Sequence, residues 1–451
     1  MVSRWLSLAL LAGCSRTGPI ELFAPQPDVA DSSGSLNVTG SGGEASGGPG
    51  STGTLGVGGT GGAPPTTTAG PGGTSTAGGG SVTACTKLVQ NGALTIVPTL
   101  QPGTSDNARF HRLDDARIAV FHRPFDSVMG LRLGSTTVTW TGSWPPPSAP
   151  PVAIVEPAGL SFAIDRGPDP TVALLSPPPG GNGVSFGVVD PAVGGWSPQA
   201  SIALSADRAV FSRRGFGEAC VGTTIPGISP GPSSQLRVAW YDGKDVRGPY
   251  NAGCSTALVM ADALALPAGW LLARTSSSIS TCSPFAPAPP PQNITVDLIA
   301  GDMPLFGAEI PFGGQTSQLA LVPRGDGAWL LHWLGASTLM GLALDGLGHI
   351  AFGPVALLTL KGPSFAFAAD RLDDGLGLVL YDVPPSGPTA LIVVATNAVG
   401  APIASAVLVD PPKLTTAPQL AFDAVSRQLL VGFSGVLNGK QSAYLARFAC
   451  E

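Results

Sequence analysis

One short pattern recurs along most of this chain and limits what it can fold into. An apolar residue, usually Ala, another apolar residue and often a polar one are followed shortly by a second strand-like segment. The pattern reads Phe162-Ala163-Ile164-Asp165, Ile202-Ala203-Leu204-Ser205, Leu319-Ala320-Leu321-Val322, Phe365-Ala366-Phe367-Ala368 and Leu420-Ala421-Phe422-Asp423. Looser copies lie at Ala108–His111 and Leu258–Ala261. Their third positions are Phe110, Ile164, Leu204, Met260, Leu321, Phe367 and Phe422, at steps of 54, 40, 56, 61, 46 and 55 residues. Two local matches support the period. Arg112-Leu113-Asp114-Asp115 recurs as Arg371-Leu372-Asp373-Asp374, and Met129-Gly130-Leu131-Arg132-Leu133 as Met340-Gly341-Leu342-Ala343-Leu344. The intervening segments are short, apolar and often bounded by Gly, Pro, Asp or Asn, as in Val152–Val155, Leu236–Tyr241, Ile294–Ile299 and Ala390–Ala395. They read as strands. No long run combines helical spacing with a cap.

Each unit holds four strands' worth of chain. One such unit cannot bury both faces alone, but a closed series can. Seven units over residues 85–451 resemble a seven-bladed β-propeller. The resemblance rests on the period, since the sequence carries no Trp-Asp blade ending, Asp-box or kelch spacing. The expected class is all-β, a seven-bladed propeller after a disordered Gly/Ser/Thr/Pro linker. Two tandem β-sandwiches are the alternative. The final unit, ending in Ser442–Ala449, lacks a fourth strand, and Ala93-Leu94-Thr95-Ile96-Val97 is placed to supply it. Closure of this kind removes an open sheet edge. Cys85 precedes that strand and Cys450 follows the last one, so a disulfide between them is expected to lock the ring.

The N-terminal part is of another kind. Met1-Val2-Ser3-Arg4 leads into a mostly apolar run from Trp5 to Ala12, shorter than the ~20 residues of a membrane-spanning helix. It ends Leu11-Ala12-Gly13-Cys14. This resembles the lipobox of bacterial lipoproteins. The resemblance implies a signal peptide over 1–13, cleavage before Cys14 and a lipid anchor on Cys14. With Ser15 next, it also implies an outer-membrane or cell-surface address. From Gly40 to Gly80 there are 18 glycines in 41 residues, and Glu44 is the only charge. Such a tract cannot bury enough apolar area to offset its backbone entropy. Residues 14–84 therefore read as lipid anchor and disordered linker, a flexible tether with an r.m.s. span of roughly 45 Å.

Net charge is −6, from 23 Lys plus Arg against 29 Asp plus Glu, and only 12% of residues are charged. That balance excludes a nucleic-acid partner held by a basic surface. The 62 glycines and 45 prolines exclude a helical bundle, and the 43% apolar content excludes a wholly disordered chain. An exported chain can hold disulfides. Besides Cys14, Cys85 and Cys450, three cysteines remain: Cys220, Cys254 and Cys282. The expected unit boundaries place them in loops of one face and sector. One pair among the three is expected, with one thiol left over. Their spacing matches no zinc pattern.

The chain carries few chemical motifs. No metal-binding, P-loop or calcium-loop motif is present. Gly183-Val184-Ser185-Phe186-Gly187 and Gly227-Ile228-Ser229-Pro230-Gly231 match the esterase pattern but lack the following helix that a nucleophile elbow needs. Asp114-Asp115 and Asp373-Asp374 read as hairpin turns rather than as a glycosidase pair. His122, Arg274, His332 and Asp382, with Ser434, fall at comparable ends of second strands. They are candidates for a polar ring at the mouth of a central pocket, or simply solvated strand ends. Trp144, beside Pro145-Pro146-Pro147, is placed to stack on a sugar or a partner. No residue is assigned as catalytic, and no cofactor or metal is implied. The sequence favours an envelope lipoprotein whose propeller binds a protein or a glycan. A polysaccharide-acting hydrolase or lyase and a structural envelope component are the alternatives. The membrane is a partner through the anchor.

Overall fold

Short apolar segments separated by tight turns pair with their neighbours in sequence, which gives antiparallel meanders. The computed structural model describes residues 85–451 except 101–104, 115, 125–132, 155–160, 165–171, 176–183, 203–207, 214–217, 227–233, 256–259, 276–292, 302, 312–317, 336, 365 and 373–374. The expectations placed on residues 1–84, including Cys14, lie outside them. The described elements are all strands. The first two, β1 (Leu88–Gln90) and β2 (Thr95–Val97), belong to the last sheet. The first sheet runs β3 (Ser105–Arg112), β4 (Arg117–Pro124), β5 (Leu133–Thr139), β6 (Val152–Ile154). Two strand pairs follow, β7 (Ser161–Ile164) with β8 (Val172–Leu175), and β9 (Val184–Asp190) with β10 (Gly195–Ile202). β8 lies beside β9.

Four-stranded sheets continue the series. They are β11 (Arg208–Arg213), β12 (Glu218–Pro226), β13 (Ser234–Asp242), β14 (Val246–Ser255), then β15 (Ala261–Leu266), β16 (Gly269–Thr275), β17 (Asn293–Ala300), β18 (Met303–Pro311). Next come β19 (Leu319–Arg324), β20 (Gly327–Leu334), β21 (Thr338–Leu344), β22 (Ile350–Thr359), then β23 (Phe367–Leu372), β24 (Gly375–Asp382), β25 (Ala390–Thr396), β26 (Pro402–Val409). The last sheet holds β27 (Lys413–Leu414), β28 (Gln419–Asp423), β29 (Gln428–Leu437) and β30 (Lys440–Cys450), with β1 and β2 on β30.

The first strands of successive sheets lie against one another, β7 by β11, β11 by β15, β15 by β19, β19 by β23, β23 by β28 and β28 by β3. The series therefore returns on itself, which is the β-propeller architecture. The core lies between the faces of neighbouring blades. Leu264, Leu271 and Val296 pack on Leu321, Leu330 and Leu342, and Trp329 and Trp333 on Phe367 and Leu378. Second strands carry the densest load: every residue of β16 and of β24 is buried.

The closing strand expected at Ala93–Val97 is present, with Thr95 opposite Leu445 and Val97 opposite Ala443. β1 adds Leu88 opposite Cys450, and Cys85 is bonded to Cys450 as expected. Arg447 of β30 ties this seam together. Its guanidinium donates to the carbonyls of Trp140, Gly142 and Asn91 at 3.3, 2.9 and 3.4 Å.

Polar side chains stitch one blade to the next. Asp262 accepts from Leu321 N (2.7 Å), and Asp370 accepts from Phe422 N (3.0 Å). The Gln318 amide both accepts from Phe367 N (2.9 Å) and donates to Phe367 O (2.7 Å), and Gln419 accepts from Phe110 N. The receiving residues, Leu321, Phe367, Phe422 and Phe110, are four of the third positions that define the sequence period. An inner strand has a free hydrogen-bonding edge, and these side chains satisfy it.

One unit boundary is corrected. Ile202-Ala203-Leu204-Ser205 does not open the third unit. Ile202 ends β10, paired with Val184, and the unit opens with β11. A buried hairpin end and a buried first strand share the same apolar-small-apolar pattern, which is why the sequence misplaces it. As a result Cys220 and Cys254 lie within strands β12 and β14, not in loops.

Gln318→Ala removes both hydrogen bonds to Phe367 and leaves a boundary amide unmet. It is expected to cost about 1–3 kcal/mol in urea unfolding. Loss of the Cys85–Cys450 bond by Cys85→Ser, which frees a very long loop, is expected to cost more, up to about 4–5 kcal/mol.

Candidate functional site

The four polar candidates do sit at the ends of second strands, as the alignment of units implies. All four are buried, His122 completely. His122 Nε2 accepts from Leu100 N (2.9 Å), and Asp382 accepts from Gly362 N (3.2 Å). Thr275, next to Arg274, accepts from Met260 N (3.0 Å), and Ser434 accepts from Ala108 N (2.8 Å). Each receives a backbone N–H from chain entering, or already within, a first strand. Arg274 forms a buried ion pair with Asp297, Nε to Oδ2 at 3.0 Å. The His332 ring lies 3.2 Å from Trp333 O. For His122, Asp382 and Ser434 the shared position thus reflects a shared structural role, because a connection diving between blades brings backbone groups that need partners.

Burial shapes the chemistry of these groups. Desolvation drives His122 down to about 4, so it is neutral at neutral pH and acts as an acceptor. His332 is lowered for the same reason. The Cys220 thiol is fully buried and unbonded, and burial pushes it up to about 12, which makes it inert. The Cys254 side chain and Cys282 lie outside the described residues. Asp114 caps its own turn, accepting from Ala116 N and Arg117 N and pairing with Arg117 at 2.6 Å. The turn reading therefore holds there, while Asp373 and Asp374 fall outside the described residues. Among the described residues, no group of three or more His, Cys, Asp and Glu side chains is placed to hold a metal ion.

Trp144 has a different setting. It lies half-buried between β5 and β6, and its indole Nε1 donates to Ala93 O (2.5 Å). The Arg447 guanidinium carbon stands 4.7 Å from the ring centre. Gly92 has no side chain, and a Cβ there would collide with the indole. The ring is thus fixed from two sides. It lines an open cleft of about 440 Å³ with Gly92, Ala93, Leu94, Thr95, Ile96 and Pro145. The sequence marked Trp144 by its proline-rich loop. The other half of the cleft, the turn between β1 and β2, gave no signal, because it becomes a wall only once the ring closes.

No family model matches this chain, and no curated protein matches it. Solved structures that resemble it include the BP39L lectin from Burkholderia pseudomallei, at 14% identity and a TM-score of 0.47, over 76% of this chain and 96% of that one. An oligogalacturonate lyase in complex with manganese aligns at 11% identity and a TM-score of 0.48, over 80% and 98%. A subtype N10 neuraminidase-like protein of A/little yellow-shouldered bat/Guatemala aligns at 6% identity and a TM-score of 0.41, over 80% and 99%.

The His122 shift sets a pH dependence. The folded value lies below the ordinary 6.5, so the folded state binds fewer protons. Stability from this group is complete above pH 6.5 and is lost as pH falls toward 4, by about 3 kcal/mol in all. His122→Gln keeps an acceptor for Leu100 N without titrating. Urea titrations across this range are expected to show a shallower pH slope in that variant.

Proposed function

We propose that this chain is a lipid-anchored envelope protein whose propeller binds a glycan at the Trp144 cleft. The observation that carries the reading is the fixed indole. A half-buried Trp held by Ala93 O and Arg447 has little rotamer freedom to lose on binding, and the part of it left uncovered offers apolar aromatic surface to the C–H groups of a sugar. The cleft is open rather than enclosed, which suits a polymer or a glycan terminus more than a small metabolite. An envelope protein seated on the same wall is the other outcome of the test. The reading takes β7–β10 as one blade, which makes the ring seven.

Binding is favoured over turnover because the polar candidates for catalysis are spent inside the fold. His122 and Asp382 hold backbone amides, and Arg274 holds Asp297. The anchor reading adds Cys14 as the lipidated residue and an outer-membrane or surface address. The Gly-rich tract would then let the propeller search a volume around its anchor.

The test is glycan-array binding by the full chain, compared with Trp144→Ala and Trp144→Phe. Apolar area of the indole removed from water contributes about 25 cal/mol per Å². Trp144→Ala is expected to weaken binding roughly tenfold or more, and Trp144→Phe by less, with the melting temperature recorded for each. Unchanged affinity in Trp144→Ala would remove the cleft from the binding site. Retention of a protein instead of a glycan from envelope extract, lost in Trp144→Ala, would reassign the ligand.

A further inference from the structure

The blades are not alike at their outer edges. Leu305 and Phe306 on β18, Leu347 before β22, Ile350 and Phe352 on β22, and Val399 before β26 are exposed, Phe306 at 64%. They lie on the outer parts of three neighbouring blades. A Cβ on Gly307 of β18 would lie 3.0 Å from Leu347 O, so the β21–β22 turn rests on β18. A Cβ on Gly400 would lie 2.5 Å from Leu357 Cδ2, so the β25–β26 turn rests on β22. The edge strands are nearly free of charge. β22 and β26 contain no charged residue, and the one in β18, Glu309, accepts a hydrogen bond from Asn293.

These edges are poor templates for another strand. Pro354 lacks an N–H and lies where the β21–β22 register shifts, and Pro402 opens β26. The surface thus offers apolar side chains on edges that proline interrupts at Pro354 of β22 and at the start of β26. That combination suits a lipid surface, which takes side chains and asks for no hydrogen bonds. Chain direction gives a second argument. In a four-strand meander the first and third turns lie at one end, so the Leu347 and Val399 turns share an end. β30 is a third strand and finishes there, and Cys450 N donates to Arg427 O (2.9 Å) in the first turn of its sheet. Cys85 is bonded to Cys450, so the chain leaves toward residues 1–84 at this same end.

We propose that the outer rim of the β15–β18, β19–β22 and β23–β26 blades, at the end where the N-terminal tract departs, docks on a lipid surface. The docking takes its orientation from the lipid-anchor reading. A tether of ~70 residues keeps the rim at high local concentration near the bilayer, so weak partitioning suffices. It also sets the Trp144 cleft, which follows a third turn, at the membrane-facing end, on the blades of the seam rather than on the docking rim.

The experiment is vesicle flotation with the full chain carrying Cys14→Ser, on phosphatidylethanolamine and phosphatidylglycerol vesicles. Phe306→Ser, Leu347→Ser and Ile350→Ser are added together, and Leu437→Ser, exposed at the opposite end, is the control. The triple variant is expected to lose at least tenfold in partitioning with an unchanged melting temperature, while the control keeps it. Equal partitioning of triple variant and control, or none by the Cys14→Ser chain, would overturn the proposal. A loss of self-association in the triple variant with no change on vesicles would assign the rim to a second copy and overturn it too. The mass of the envelope-purified chain reports separately on Cys14. An unmodified Cys14 ends the anchor reading and leaves the flotation difference to stand or fall alone.

Discussion

Everything in this structure depends on satisfying the free hydrogen-bonding edges of the innermost strands. A first strand pairs with one neighbour only, and its other edge faces the centre of the ring. Asp262, Gln318, Asp370 and Gln419 reach across blade boundaries to backbone amides of the next first strand. Apolar packing alone would let neighbouring blades slide, because Leu, Val and Ala faces tolerate many registers. A hydrogen bond to one named amide permits a single register. The boundary residues therefore do for blades what a ladder does for strands.

The period was legible in the sequence because it follows from local pattern. Short apolar runs, turn residues and recurring triplets fix the strands, and the missing fourth strand of the last unit pointed to Ala93–Val97. The Cys85–Cys450 pairing followed from that closure. At Ile202, where sequence and structure part, a buried residue ending a hairpin fits the same apolar pattern as a first strand, and nothing local could separate them. The stitching residues were illegible for a different reason. Gln318 and Gln419 are single polar residues before apolar runs, and their partners lie far away in the chain.

The same physics explains why the polar candidates serve the fold instead of a ligand. Equivalent positions near the ends of second strands carry His122, Asp382 and Ser434, residues of unlike charge and size, each of which accepts a backbone amide. A binding ring would select a common chemistry. A backbone amide in need of an acceptor does not, since an imidazole, a carboxylate or a hydroxyl each serves. Variety of side chain at a fixed position is what backbone satisfaction produces. Periodic polarity in a repeat protein is therefore weak support for a site until the backbone groups beside it are counted.

Closure and the proposed binding cleft meet at one place. Arg447 sits on β30, bonds the carbonyls of Asn91, Trp140 and Gly142, and lies against the Trp144 ring. Burial lowers its pKa, and among the described residues its contacts are carbonyls and an indole face, so there it gathers neutral dipoles. The residues that fix the ring shut are thus the residues that hold the indole still. A propeller must spend rigid contacts at its seam in any case. Placing the aromatic there gives it a firm seat without further ordering, so that, on the reading proposed for the cleft, the cost of immobilising Trp144 is met by the folding of the ring.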